Sequence, residues 1–350
     1  MPSKQVIDLC ILVTAPIYIF LFPRYNPQPN ITGLRKLAQI DWAGSTLNAL
    51  TFVLFMIVLT FSGSTWRWNT SGPIALWTIF GLSLISYALQ QAFSIFTTPE
   101  RRLFPVHFIK SRTMLLLYFT TAASAAGMAV GIYYVPLFFQ FTKGDSALKA
   151  AVRLLPYIVL FVFSVMFAGG LLPVFGRYAP WYFPAGILMI IGAAFMYQIK
   201  ETTHTAAIYG FEVLIAIGVG LIFQTGYNVA AAKVDPIDIP ASIGFINVAQ
   251  IGSIAISLSI SGALFQNLGY TYLSEALAEY NFSESALRSA LAGIESVVLN
   301  NEGPVVRGLA INAIIKTIDK IYALVMAAGA LTFVSACFMS WEKLALEKIG

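Results

Sequence analysis

Apolar runs, each close to the length that a helix needs to cross a bilayer, recur along the whole chain. They lie at 6–22, 43–63, 74–96, 114–139, 150–172, 181–199, 207–230, 242–267 and 321–341. About 20 apolar residues in an α-helix cover about 30 Å of hydrocarbon. A backbone in lipid must satisfy its own hydrogen bonds, so runs of this length are helices; they are too long for barrel strands. The expected fold is therefore an all-α integral membrane protein of about nine transmembrane helices, with short polar connections. Composition agrees: 58% of the 350 residues are hydrophobic and only 11% charged, against roughly half and a quarter in soluble domains.

The same composition excludes several function classes. The net charge of +5 comes from Lys and Arg residues placed singly or in pairs at span ends, with no basic stripe for nucleic acid. The two cysteines, Cys10 and Cys337, fall inside apolar runs and form no disulfide framework. His107 and His204 lie in loops, no Cys/His or acidic cluster has metal spacing, and no Gly-rich loop with a Lys cradles a phosphate. Neither an enzyme nor a cofactor is implied. Lys4 followed by the run from Ile7 to Phe22 has the outline of a signal peptide. Pro23-Arg24 follows in place of a small-residue cleavage site, which favours a retained first span.

Lys and Arg also predict orientation. Arg24, Arg35 and Lys36 in one connection, and Arg101, Arg102, Lys110 and Arg112 in another, fall on one side of nine alternating spans, which is then cytoplasmic. Lys143, Lys149 and Arg153 on the other side weaken that bias. The sequons at Asn69 and Asn281 fall outside and are candidate glycosylation sites, whereas the one at Asn30 falls inside. The long connection 268–320 is expected to be extracellular. Within it Leu287, Leu291, Ile294 and Val298 recur at helical spacing among Glu284, Arg288 and Glu295. An amphipathic helix on the membrane surface or over a neighbouring domain follows. Gly303-Pro304 would end it and start a helix running into the last span.

Polar side chains inside spans are costly unless a partner or a wet cavity meets them. Glu212, in Tyr209-Gly210-Phe211-Glu212-Val213, is the sharpest case. Leaving water disfavours a charged carboxylate, which makes it a candidate proton carrier. The alternative is an interfacial acid that reaches headgroup water or pairs with Arg153. Gln224 and Asn228 are four apart and share a helix face. Asn247 and Gln250 do likewise, with Ser257 one heptad on. Gly127, Gly131, Gly218 and Gly220 suit helix packing. Gly169-Gly170 would allow close helix contact, and Gly176-Arg177-Tyr178 a tight turn.

Five stretches, in order along the chain, resemble the fourteen-span drug:proton antiporter branch of the major facilitator superfamily in its fungal form. They are Asp41-Trp42-Ala43-Gly44, Trp66-Arg67-Trp68-Asn69, the run Tyr133 to Gln140, Val152-Arg153-Leu154-Leu155-Pro156, and Gly218-x-Gly220-Leu221-x-Phe223-Gln224. The resemblance implies that residues 1–22 are the last span of an otherwise missing N-terminal bundle. It makes 23–113 two linker spans with cytoplasmic loops, 114–341 a complete C-terminal six-helix bundle, and 342–350 a cytoplasmic tail. It also implies a degenerate conformational loop motif at Gly169, Leu171, Pro173, Gly176 and Arg177, with Pro173 where the family has aspartate. By the same resemblance the fourth and seventh spans line a central pathway, so Tyr118, Thr121, Ser124, Tyr133, Gln224 and Asn228 are substrate candidates. Interhelical hydrogen bonding is the competing role for them. The implied activity is proton-coupled efflux of a small hydrophobic or amphipathic metabolite, toxin or drug across the plasma membrane, with Glu212 and Arg153 as candidate proton-coupling residues. The alternatives are a truncated, non-transporting fragment needing a missing half or a second copy, and a siderophore transporter.

Overall fold

The computed structural model describes residues 11–21, 32–293, 296–300 and 303–344. The chain divides into two units, Met1–Asp41 and Trp42–Gly350. In the first, the described residues form an apolar helix, Ile11–Leu21, and a short helix, Gly33–Leu37. The expected span 6–22 extends beyond the described residues at both ends, and the sequon at Asn30 lies outside them.

The second unit holds eight helices long and apolar enough to cross a membrane, all among the described residues. They are α1 (Trp42–Phe61), α2 (Ser71–Phe93), α3 (Arg112–Lys143), α4 (Leu155–Phe175), α5 (Ala179–Met196), α6 (Thr205–Lys233), α7 (Ile239–Ala276) and α8 (Gly303–Cys337). No strand is present among the described residues. The protein is a multi-pass helical membrane protein. Successive helices alternate in direction, so the turns 62–70, 144–154, 197–204 and the described parts of the last connection, 277–293 and 296–300, gather at one end of the unit, here called the sequon end. The turns 94–111, 176–178 and 234–238, with the tail, gather at the other.

Local chemistry explains where the helices stop. The Ser111 hydroxyl accepts from Met114 N–H at 3.5 Å to start α3, and Gly144 ends that helix in the left-handed region. Gly176, at φ +64°, ends α4 and lets its own N–H reach Leu172 O. Helices α3, α5, α6 and α8 supply most of the core. There, fully buried Tyr134, Phe138, Phe139, Tyr157 and Tyr322 pack with Ile215, Val219 and Val325. Helices α1 and α2 pair through a 2.8 Å hydrogen bond between the Thr51 and Ser83 hydroxyls. They reach α7 through Phe52, whose ring a Cβ on Gly252 would meet at 3.0 Å.

Two departures from the sequence reading stand out. At 38 and 35 residues, α7 and α8 are about 57 and 52 Å long, well beyond about 30 Å of hydrocarbon. Much of 268–320, expected as a loop, is the projecting ends of these helices, and the helix expected after Gly303-Pro304 does run unbroken into the last span. The amphipathic helix is present as Glu284–Ala292, started by the Ser283 hydroxyl. It buries Leu287, Ala290 and Leu291 against the projecting ends rather than on lipid, and Leu291 lies 2.7 Å from the position a Cβ on Gly269 would take. Val298 sits in a separate short helix, Val297–Asn300, and Ile294 and Glu295 lie outside the described residues. The sequence 268–276 is too polar to read as membrane span, but a protein partner satisfies its apolar face equally well.

Candidate functional site

The most irregular backbone within a span lies in α6. Its first segment stops at Phe223, and the helix resumes at Thr225. Gln224 takes φ −103°, and Tyr227 N–H bonds to Gln224 O at 3.2 Å, which leaves Phe223 O without its usual acceptor role in the helix. Gln250 of α7 replaces the lost bond, its Nε2 donating to Phe223 O at 3.0 Å. Thr225 helps from within α6, its hydroxyl donating to Leu221 O at 2.8 Å. An interrupted helix is tolerated at this depth because neighbouring side chains re-satisfy the freed carbonyls.

The break is surrounded by amides and one phenol. The Tyr227 hydroxyl lies 3.1 Å from Asn247 Oδ1 and 3.0 Å from Gln250 Oε1. A single hydroxyl proton serves one of these acceptors; an amide turned to present its NH2 serves the other. Gln224, Asn228 and Asn247 are exposed and Gln250 is nearly buried. The helix break therefore carries an outward-facing wall of amide groups. The groove beside it, about 340 Å³ between α1 and α7, runs along Asn48, Phe52, Asn247 and Ile251. Gln224 and Asn228 share a face as the sequence predicts. Tyr227 and the break itself escaped the sequence reading, and the polar Gln224-Thr225-Gly226 triplet inside an apolar run is the signal that marks them.

The other expected cavity residues divide. Thr121 is 1% exposed and abuts α6, so that a Cβ on Gly226 would fall 2.3 Å from its hydroxyl. Ser124 is fully buried, and its hydroxyl donates to Thr121 O at 2.9 Å. Both pack α3 in the bundle rather than lining an open surface. Tyr118 is half-buried in an aromatic group with Phe104 and Phe245, its ring 4.8 Å from that of Phe245. Tyr133 is exposed, and among the described aromatic rings it touches only Tyr134. It stands twelve residues from Thr121, about 18 Å along the helix.

Glu212 occupies a different level of α6, twelve residues before the break and again about 18 Å away. It is fully buried, and neither carboxylate oxygen has a hydrogen-bond partner among the described residues. The Tyr157 and Tyr322 hydroxyls, also buried and without a partner, lie within its electrostatic reach, and Asp319 of α8 acts on Tyr322 in turn. Asp319 lines a groove of about 340 Å³ at the sequon end with Ile199, Lys200, Glu201, Asn312 and Lys316. Glu212 is thus neither an interfacial acid nor the partner of Arg153.

Arg153 is committed elsewhere. Its Nε hydrogen-bonds the buried carboxylate of Asp145, its Nη1 donates to the Tyr209 hydroxyl at 3.2 Å, and its guanidinium lies 4.7 Å above the Phe139 ring. Lys149 adds a second ion pair to Asp145 at 2.8 Å. Burial pushes the Asp145 carboxyl up, but the hydrogen bonds from Arg153 and Lys149 outweigh it and hold it below the usual carboxylate value. A depressed folded-state value stabilises the fold above the unfolded-state value of about 3.9 and loses that contribution as pH falls through the folded one. Thermal unfolding in detergent should show Asp145→Asn about 1–3 kcal/mol less stable at pH 7. The gap to wild type should shrink as pH drops below about 4; a gap independent of pH would contradict the assignment.

At the opposite end, Gly176 makes the expected turn before Arg177. Gly169 does not do what was expected of it: a Cβ on either Gly169 or Gly170 would meet nothing within 4 Å. These two glycines face away from the protein, so close helix contact is made elsewhere. Asn69 and Asn281 are both exposed at the sequon end. Cys337 is exposed and free, and Cys10 lies outside the described residues.

No protein-family model matches the chain. Individual relatives do. The chain is 37% identical over 334 residues to the efflux pump patC of Aspergillus clavatus, an alignment covering 95% of this chain and 60% of that protein. It is 34% identical over 330 residues to the MFS-type transporter patC of Penicillium expansum, covering 93% of this chain and 60% of that one. With the efflux pump alnA of Emericella nidulans the identity is 35% over 336 residues, covering 95% and 60%. A solved bacterial homologue of the human lysosomal transporter Spinster, inward-facing and unoccupied, superposes with a TM-score of 0.48 at 16% identity, over 86% of this chain and 66% of that one. The chain thus spans about three-fifths of the length of the curated relatives it matches. With eight bilayer-length helices, the chain is similar along almost all of its length to fungal efflux pumps and MFS-type transporters.

Proposed function

We propose that the protein exports a small hydrophobic or amphipathic metabolite or toxin from a fungal cell, driven by protons. The observation that carries this reading is the interrupted α6 with its wall of Gln224, Tyr227, Asn228, Asn247 and Gln250. Transporters of this architecture place substrate at discontinuous helices near the midplane, between bundles that rock about the site. Amide and phenol groups with no fixed charge suit an uncharged or weakly basic solute. The names of the relatives, efflux pumps and MFS-type transporters, support export. The buried, unpartnered Glu212 supports proton coupling, because an ionisable side chain at this depth without a partner marks an ion pathway. Exposure of both sequons at the end opposite Arg101, Arg102, Lys110 and Arg112 supports an extracellular sequon end and a plasma-membrane location.

The reading is tested in yeast lacking its own major drug exporters. Expression should lower accumulation of a fluorescent lipophilic weak base, and a protonophore should erase the difference. Accumulation unchanged by expression would overturn export; export indifferent to the protonophore would overturn proton coupling. Gln250→Leu removes the bond to Phe223 O, worth about 1 kcal/mol, and should raise the half-saturating substrate concentration several-fold with little loss of expression. An unaltered value would detach the helix break from the substrate site.

A further inference from the structure

The turn at Gly176-Arg177 does something other than contact helices. The tail after α8 folds back onto it: Leu344 is 8% exposed, and its N–H donates to Gly176 O at 2.7 Å. This bond brings Lys343, together with Arg177, into the lining of a groove of about 660 Å³ on the outer face of α4 and α5. The groove wall is aromatic and aliphatic, with Phe167 and Phe175 of α4, Trp181 of α5 and Leu221 of α6. The Trp181 ring meets Phe167 edge-on at 6.1 Å and Phe175 at 5.9 Å. Among the described residues neither Arg177 nor Lys343 has an ion-pair partner, and Glu342 is engaged elsewhere, pairing with Lys233 at 3.2 Å. Two cations without an ion-pair partner among the described residues therefore line an apolar trough, with a tryptophan at the helix end where spans meet water.

We propose that this groove is a site for an anionic phospholipid, its acyl chain lying against Phe167, Phe175 and Trp181 and its phosphate held by Arg177 and Lys343. The charge pattern selects the occupant. A guanidinium offers a phosphate two parallel hydrogen bonds and a lysine adds a point charge. A net-negative headgroup gains from both, whereas a choline headgroup brings its own cation to the pair. Basic pockets between membrane helices at the headgroup level hold anionic lipid in this way. The site is separate from the substrate wall, and the inference stands whether or not the protein exports anything.

Trp181 reports on the groove directly. The purified protein, in mixed lipid–detergent micelles, is titrated with phosphatidylglycerol or phosphatidylcholine brominated along the acyl chain. The quenching lost in Trp181→Phe isolates the Trp181 signal. Brominated phosphatidylglycerol should quench Trp181 at a lower mole fraction, by about fivefold for each cation. Arg177→Gln with Lys343→Gln should abolish that preference, Arg177→Lys should retain most of it, and inorganic phosphate should not compete. Equal quenching of the wild type by both lipids would overturn the proposal, and that comparison needs no variant to fold. A preference surviving in a folded double variant would overturn it too, and competition by inorganic phosphate would make the site one for a free anion.

Discussion

Replacing Glu212 by glutamine is expected to cut the proposed proton-driven export by about 10²-fold or more, as loss of a proton-transferring group does in enzymes, while leaving the protein folded. The carboxylate is fully buried with both oxygens unpartnered among the described residues, and an unpaired charge there costs several kcal/mol. Such a residue persists only if a change of its charge is used, or if it stays neutral throughout. Glutamine copies the neutral acid in size and polarity but can neither release nor accept a proton. If Glu212 carries protons, Glu212→Gln should unfold at or above the wild-type temperature and yet transport poorly, with its residual export insensitive to external pH. The Tyr157 and Tyr322 hydroxyls lie within electrostatic reach of Glu212, and Asp319 acts on Tyr322 in turn. Asp319→Asn should therefore shift the pH profile of export rather than abolish it. A Glu212→Gln protein with wild-type export and pH response would reduce Glu212 to a buried neutral acid with a packing role. Vesicle uptake at imposed pH gradients, alongside thermal unfolding of the same preparations, separates the two.

The second large effect is structural. A Cβ added to Gly186 would lie 2.7 Å from Phe333 N and 2.9 Å from Gly329 O. One on Gly329 would lie 2.9 Å from Ile190 N. These are backbone atoms, which cannot swing aside as a side chain does, so α5 and α8 must move apart. Between helices in lipid no hydrophobic force favours contact, and close backbone approach through small residues supplies the attraction. Gly186→Ala should cost about 1–3 kcal/mol, and Gly186→Val should abolish the folded protein in detergent. Gly170→Ala, whose Cβ would meet open space, should be neutral or slightly stabilising. Fluorescence-detected gel filtration after heating ranks the three variants. Equal survival of Gly186→Ala and Gly170→Ala would show that the α5–α8 contact is not the tight one.

The sequence made the spans legible and misjudged several faces. Runs expected at 43–63, 74–96 and 181–199 differ from α1, α2 and α5 by a few residues. Gly218 and Gly220 serve packing as the sequence predicts, since added Cβ atoms would fall 2.7 Å from Ala185 O and 2.6 Å from Phe161 O. Gly169 and Gly170, with the same local signature, face open space, and Gly186 and Gly329 carried no signal at all. Thr121 and Ser124 looked as suited to a cavity as Gln224 and Asn228, yet the first two are buried and the second two exposed.

The reason is the solvent. Crossing a bilayer is decided by transfer of a whole segment from water to hydrocarbon, a sum over its residues that needs no knowledge of neighbours. The sequence alone therefore determined that this is a many-span helical protein, and nearly where each span lies, but not how far α7 and α8 extend beyond it. Inside the bilayer lipid is as apolar as leucine, so a helix is apolar all round and its periodicity does not mark the buried face. Which glycine touches a backbone, which amide faces outward at the break in α6, and that Glu212 is sealed among tyrosines were decided only when the helices packed.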